Sequence, residues 1–192
     1  MSIHDPNNAI DDWQTSLQYL HDGNKRYVEN RLIARNSNAQ DRNTLKNGQR
    51  PFAVIVTCSD SRVPPEIYFD QKLGCIFVVR NAGNIADTAA LGSIEYAVIH
   101  LRVPLIVVVG HTCCGAVTAA CADGDGHPGN LQAILDSIRE FVKGSDSLEK
   151  AVYDNVVGAA GKIKNDEIIR KAGTKVLGAC YDIETGQVSW LE

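Results

Sequence analysis

The sequence has no excess of positive charge: 19 Lys and Arg stand against 23 Asp and Glu, a formal net charge of −4 over 192 residues. It therefore has no basic field to draw polyanions, which removes nucleic acid from the expected partners. A long hydrophobic run is also missing. The longest, Val103 to Val109, falls far short of the roughly 20 residues that span a bilayer, so no membrane association is expected. Met1 to Trp13 carries Asp5, Asp11 and Asp12 where a secretory leader needs a basic start and an apolar stretch; the expected location is the cytoplasm. No repeat of about 20 to 50 residues is visible, and the low-complexity patch Asp123 to Gly129 reads as a loop.

Hydrophobic residues make up 44% of the chain, enough to fill the core of one domain, which at this size buries about 70% of its unfolded surface. Residues 1–50 read as a helical arm and linker. Ile10, Trp13, Leu17, Leu20 and Tyr27 recur at helical spacing, with Asp11 and Asp12 at the start, and Asn30 to Arg50 turns polar, a loop with at most one helical turn. Residues 51–192 read as an α/β domain: a central, mainly parallel β-sheet flanked by helices and closed by a C-terminal β-hairpin. The expected strands are Phe52 to Thr57, Cys75 to Val79, Pro104 to Val109, Lys175 to Tyr181 and Gln187 to Leu191. Leu91, Ile94, Val98 and Leu101 mark a helix opened by Asp87; Leu131 to Phe141 and Leu148 to Ile163 mark two more.

The six cysteines are Cys58, Cys75, Cys113, Cys114, Cys121 and Cys180, and in a reducing compartment such residues are core, metal-binding or catalytic before they are disulfides. Two polar clusters each follow an apolar strand: Cys58-Ser-Asp60-Ser-Arg62, and His111-Thr-Cys113-Cys114-Gly115. Ligands of open α/β sheets sit beyond the carboxyl ends of strands, so the clusters can converge if their strands are close. Extended alternation would put Cys58, Asp60 and Arg62 on one face. His111 and Cys114, three apart at a helix entry, would share another. Cys, His and Cys with a fourth position open is the ligand set of a catalytic zinc site; a closed structural site needs a fourth protein ligand. Arg62 would then hold Asp60 ionised, leaving a carboxylate oxygen to face a metal-bound water.

Plainer readings exist for each residue. A free cysteine at a strand end is by default core, a lone histidine after a strand is unremarkable, and an Asp-x-Arg pair can be a surface ion pair of little worth. Their joint placement at strand ends is what favours the metal. Cys113 competes with Cys114 for the ligand role; the spacing from His111 favours Cys114. A Cys113–Cys114 redox pair is poor chemistry, because adjacent residues form a strained bridge. Gly124-x-Gly126-x-x-Gly129 follows no strand and contains Pro128 and Asp125, so it is not read as a dinucleotide fingerprint. His4, His21, His100 and His127 default to solvated or core roles, and Cys75, Cys121 and Cys180 to small buried residues.

Cys58-x-Asp60-x-Arg62 with His111-x-x-Cys114-Gly115 resembles the β-class carbonic anhydrases. Arg80-Asn-Ala-Gly-Asn84, Gly92 to Val98, Gly23-Asn24, Tyr181-Asp182 and Thr185-Gly186 extend the resemblance over most of the chain. It implies zinc on Cys58, His111 and Cys114, Asp60 and Arg62 as a catalytic dyad, and a substrate pocket near Gln49, Phe77, Ala82, Tyr96 and Gly115. The implied activity is reversible hydration of carbon dioxide to bicarbonate and a proton by zinc-bound hydroxide. The implied assembly is a homodimer or dimer of dimers, with the arm embracing a second subunit and active sites at the interface. The resemblance also allows Asp60 to become an alternative zinc ligand at low pH. Ile55 and Thr57 stand where the bicarbonate-regulated subtype carries Trp and Gly, so that regulatory pocket is expected to be absent, although Tyr181 matches its third member. Carbonyl sulfide and carbon disulfide hydrolases resemble this family and share the five residues; a non-catalytic zinc-binding protein would need neither Asp60 nor Arg62.

Overall fold

The structure, a computed structural model, describes residues 4–6, 8–34, 38–122, 126 and 128–191. These form a five-stranded sheet in the order β2-β1-β3-β4-β5, made of β1 (Ala53–Cys58), β2 (Ile76–Asn81), β3 (Leu105–His111), β4 (Lys175–Tyr181) and β5 (Val188–Trp190). β1 to β4 run parallel and β5 returns antiparallel to β4. The mainly parallel sheet and the C-terminal hairpin agree with the sequence reading.

Helices cover both faces, which is why β1 and β3 are buried along their whole length and read as unbroken apolar runs. Alternation still sorts them. Ala53, Ile55, Leu105, Val107 and Val109 pack in one cluster with Leu20 of α1 (Trp13–Val28), Tyr68 of α3 (Pro65–Tyr68), Val117 of α5 (Gly115–Cys121) and Leu135 and Ile138 of α6 (Leu131–Val142). Val54, Val56, Ile106 and Val108 pack on the other with Ile94 of α4 (Thr88–Leu101), Val156 and Ile163 of α7 (Leu148–Asn165) and Ile169 of α8 (Glu167–Ala172). Truncating any of the buried isoleucines to Ala would cost about 2–5 kcal/mol.

Helix starts follow their caps. Asp12 accepts from the Thr15 amide, Asp87 from that of Ala90 and Ser147 from that of Lys150. Within the linker, α2 (Ala39–Leu45) is a fuller helix than expected, because Asn38 and Asp41 form a reciprocal capping box. α1 lies against its own domain. A Cβ at Gly23 would sit 1.7 Å from the Phe69 carbonyl oxygen, so only glycine lets this helix cross the end of α3. Beside it, Asn24 donates to the carbonyls of Tyr68 and Gly186 and accepts from the Val188 amide, tying the arm to α3 and the hairpin. Among the described residues no helix is long and apolar enough to cross a membrane.

Candidate metal centre

β1 and β3 are immediate neighbours, with Thr57 paired to Val109, so Cys58 and His111 leave the same edge of the sheet side by side. The chain passes from β1 to β2 on one side and reaches β3 on the other. That reversal opens a crevice at the carboxyl ends of the strands, the place where such sheets hold ligands. The ligand atoms of Cys58, His111 and Cys114 all lie within 4.8 Å of one another there, and all three residues are buried.

His111 is prepared for a metal by its own backbone surroundings. Its Nδ1 lies 2.9 Å from the Thr112 carbonyl oxygen, which can only accept, so Nδ1 carries the proton and Nε2 presents a lone pair. Nε2 is buried and has no hydrogen-bond partner among the described residues. An orphaned imidazole nitrogen facing two thiols fits zinc, and the donor set leaves one tetrahedral position for a non-protein ligand. The neighbouring Cys114 side chain draws the Cys58 thiol well down, so this sulfur is readily ionised despite its burial. A cation held by the two sulfurs would displace their protons.

The turn that delivers Cys114 is not the helical entry expected. His111 is the last residue of β3, Cys113 adopts φ +57°, and Cys114 is the cap before α5. The left-handed residue turns Cys113 outward, where it is exposed, and Cys114 inward. Cys113 lies outside the three-residue group.

Asp60 and Arg62 also meet by a route other than strand alternation. β1 ends at Cys58, and the Arg62 amide folds back 2.9 Å onto Asp60 Oδ1. The guanidinium then engages the carboxylate through both oxygens, Nε to Oδ1 at 2.9 Å and Nη2 to Oδ2 at 2.7 Å. Oδ1 thus accepts twice and Oδ2 once, leaving a lone pair on Oδ2. The Arg62 guanidinium, aided by its amide, holds the Asp60 carboxyl well below the usual carboxylate range. Arg62 Nη2 also reaches the Cys113 carbonyl at 3.3 Å, linking the two turns.

Arg80 is a contributor that no local pattern singled out beyond its motif. It pairs with Thr57 across β1 and β2, and its side chain donates to the carbonyls of Cys58 (2.9 Å) and Asp60 (2.6 Å). The guanidinium holds the segment carrying both the candidate ligand Cys58 and the Asp60–Arg62 pair.

The expected pocket residues are more scattered. Gly115 opens α5 beside Cys114, and Ala82 opens the 3₁₀ turn Ala82–Asn84 after β2. Phe77 on β2 and the exposed Tyr96 on α4 stand together, ring centroids 6.4 Å apart, and Gln49 is exposed ahead of β1. Ile55 and Thr57 are buried in β1, and Tyr181 stacks on Tyr68. Of the cysteines assigned to packing, Cys75 is buried and Cys180 half-buried, whereas Cys121, at the end of α5, is exposed. His4 is buried between Tyr19 and Phe52; His21 lies against Trp190 and His100 against Tyr96. Asp123, Gly124, Asp125 and His127 of the glycine-rich patch lie outside the described residues.

Comparison with known proteins agrees with this geometry. The sequence profile of the family described as carbonic anhydrase matches residues 53–188. The carbonic anhydrase of Mycolicibacterium smegmatis is 46% identical over 182 residues, covering 88% of each chain. Carbonic anhydrase 2 of Mycobacterium tuberculosis is 40% identical over 181 residues, covering 88% of this chain and 87% of its own. Among solved structures, a β-carbonic anhydrase of Coccomyxa in complex with acetazolamide superposes with a TM-score of 0.73 at 28% identity, covering 91% of this chain and 86% of that one. One of the tetrameric β-carbonic anhydrases of Sordaria macrospora superposes with a TM-score of 0.70 at 28% identity, covering 93% and 95%. The chain belongs to the β class of the carbonic anhydrase family, whose members are carbonate dehydratases.

Proposed function

We propose that this protein holds zinc through Cys58, His111 and Cys114 and catalyses the reversible hydration of carbon dioxide to bicarbonate and a proton. The observation that carries the reading is the three-residue group with ligand atoms within 4.8 Å, beside an ionised Asp60 that is turned to Arg62 and lies outside that group. When bound, zinc supplies the Lewis acidity that lets water act as a nucleophile near neutral pH, at a pKa of about 7 in three-histidine sites.

The protein's own residues do the rest. Cys58 and Cys114, as thiolates, cancel the divalent charge, which sets the working pH above that of a three-histidine site. His111, its tautomer fixed by Thr112, offers Nε2 without rearrangement. Asp60 Oδ2 offers its remaining lone pair to the O–H of the reacting water, so that an oxygen lone pair points at the carbon of the substrate. Arg62 keeps that carboxylate ionised and oriented. Gln49 donates to an oxygen of the substrate, and Phe77, Ala82, Tyr96 and Gly115 shape the pocket.

We assign the completion of that pocket to a dimer. β2 is an edge strand of mainly apolar residues without proline or lysine, and Tyr96 and Ile99 stand exposed on α4. Such an edge calls for a partner. We also propose that the protein works in the cytoplasm as a dimer or a dimer of dimers.

Stopped-flow measurement of carbon dioxide hydration on protein of measured zinc content tests the assignment. Turnover that scales with zinc supports it. Efficient hydrolysis of carbonyl sulfide with barely any hydration would move the substrate to a carbon–sulfur compound while leaving the metal centre in place.

A further inference from the structure

Helix α7 buries Ala151, Val152, Asn155, Val156, Ala159 and Ile163. Asn155, 1% exposed, is the polar residue of that face. Its Oδ1 is buried without a hydrogen-bond partner among the described residues, a cost that a position serving only to pack would avoid by carrying a leucine or methionine. Its Nδ2 is engaged, donating at 2.9 Å to the carbonyl oxygen of Gly83, 72 positions away.

Gly83 sits in the 3₁₀ turn after β2, at φ +73°, and a Cβ there would lie 2.5 Å from Ile138 Cδ1. The ends of the turn are bracketed by Asn81, whose side chain bonds both the N–H and the carbonyl of Ile85. The Gly83 amide points at Cys58 Sγ, 3.4 Å away. The path therefore runs from the Asn155 amide to the Gly83 carbonyl, through the Gly83 residue, and from its N–H to the sulfur of a metal ligand.

We propose that Asn155 is a positioning residue of the metal centre: through Gly83 it keeps an N–H aimed at the Cys58 sulfur and so limits the charge this thiolate gives the ion. The inference rests on the zinc assignment above. A hydrogen bond to a ligating sulfur withdraws electron density from the metal, keeping it more Lewis acidic, and outer-shell groups of this kind govern ligand orientation and basicity. Residue 155 lies about 40 positions beyond Cys114 in the chain, and nothing in the ligand motifs points to it.

Cobalt-substituted protein gives a readout that a packing role would not move. In Asn155→Leu, which keeps the branched outline of the side chain and removes the N–H, one cobalt should still bind per chain. The thiolate-to-cobalt charge-transfer band should move to lower energy, because an unbonded thiolate is the better electron donor. In the zinc form the pH profile of hydration should shift to the alkaline side and activity near neutrality should fall about 10- to 100-fold. An unchanged band and an unchanged pH profile in a folded variant would overturn the proposal. Should that variant not fold, cadmium-113-loaded native protein carries the test: the Gly83 amide proton should show scalar coupling to the metal through Cys58, and its absence would overturn the proposal. A native protein whose cobalt form shows no thiolate band would remove the zinc assignment and this inference together, whereas a band insensitive to Asn155 removes the inference alone.

Discussion

The two turns that build the site are held by different forces. After β1, the segment from Cys58 to Arg62 is fixed by charged side chains: Arg62 grips Asp60 through both oxygens, and Arg80 donates to two carbonyls from the neighbouring strand. After β3, the segment from His111 to Gly115 is fixed mainly by backbone. The Thr112 amide donates to Tyr181 O, Thr112 Oγ1 accepts from the Ile183 amide, and Cys113 occupies the left-handed region before α5 begins. Side-chain contacts can exchange partners while the backbone stays in place, whereas backbone bonds that continue a sheet break only with local unfolding. The proposed hydrogen-bond chemistry of Asp60 thus falls on the first turn, and two of the three candidate ligands on the second.

That contrast is broken most sharply at the ligands. Cys114→Ser should lose stoichiometric zinc, while Cys113→Ser, altering an outward-facing thiol one residue away, should retain it; metal analysis of the purified proteins decides. On the charged turn, Asp60→Asn should keep fold and zinc yet lose roughly 10²- to 10³-fold in hydration rate, because its NH₂ donates where Oδ2 accepted. Arg80→Met should cost less, about 10-fold in rate and about 1–2 kcal/mol in stability, read by kinetics and thermal melting, since two carbonyls lose charged donors but keep access to water. Smallest is the pH effect on the dyad. A carboxyl whose folded value is depressed adds stability that is present above its unfolded value of about 3.9 and lost as pH falls through the lower folded one. The melting difference between wild type and Asp60→Asn should therefore stay constant from pH 9 to about 5 and close only in stronger acid.

Much of this was legible because the sheet is buried on both faces. Apolar runs such as Leu105 to Val109 have few alternative uses, and polar residues directly after them mark the ligand end of the sheet. β4 and the α4 cap at Asp87 fell where the pattern placed them. The turns did not. Extended alternation grouped Cys58, Asp60 and Arg62, and helical spacing grouped His111 with Cys114, yet an Asx-type turn and a left-handed Cys113 do the grouping. Each pattern grouped residues that the structure does bring together, but by another geometry, because short polar side chains offer the backbone local hydrogen bonds that periodicity does not record. Short α3 and α8 left too few periodic positions to read, and the linker helix α2 depended on a capping box rather than an apolar stripe. Arg80 and Asn155 reach the site across strands or from a remote helix, so apart from the motif that contains Arg80 their only local signal is placement, a charge on an apolar strand and an amide on a buried helix face.

Zinc K-edge X-ray absorption on the native protein near neutral pH tests the central claim most directly, by counting donors around the ion. The expected shell is two sulfurs at about 2.3 Å, one imidazole nitrogen and one oxygen donor at about 2.0–2.1 Å. Three sulfurs, or a shell without imidazole, would contradict it.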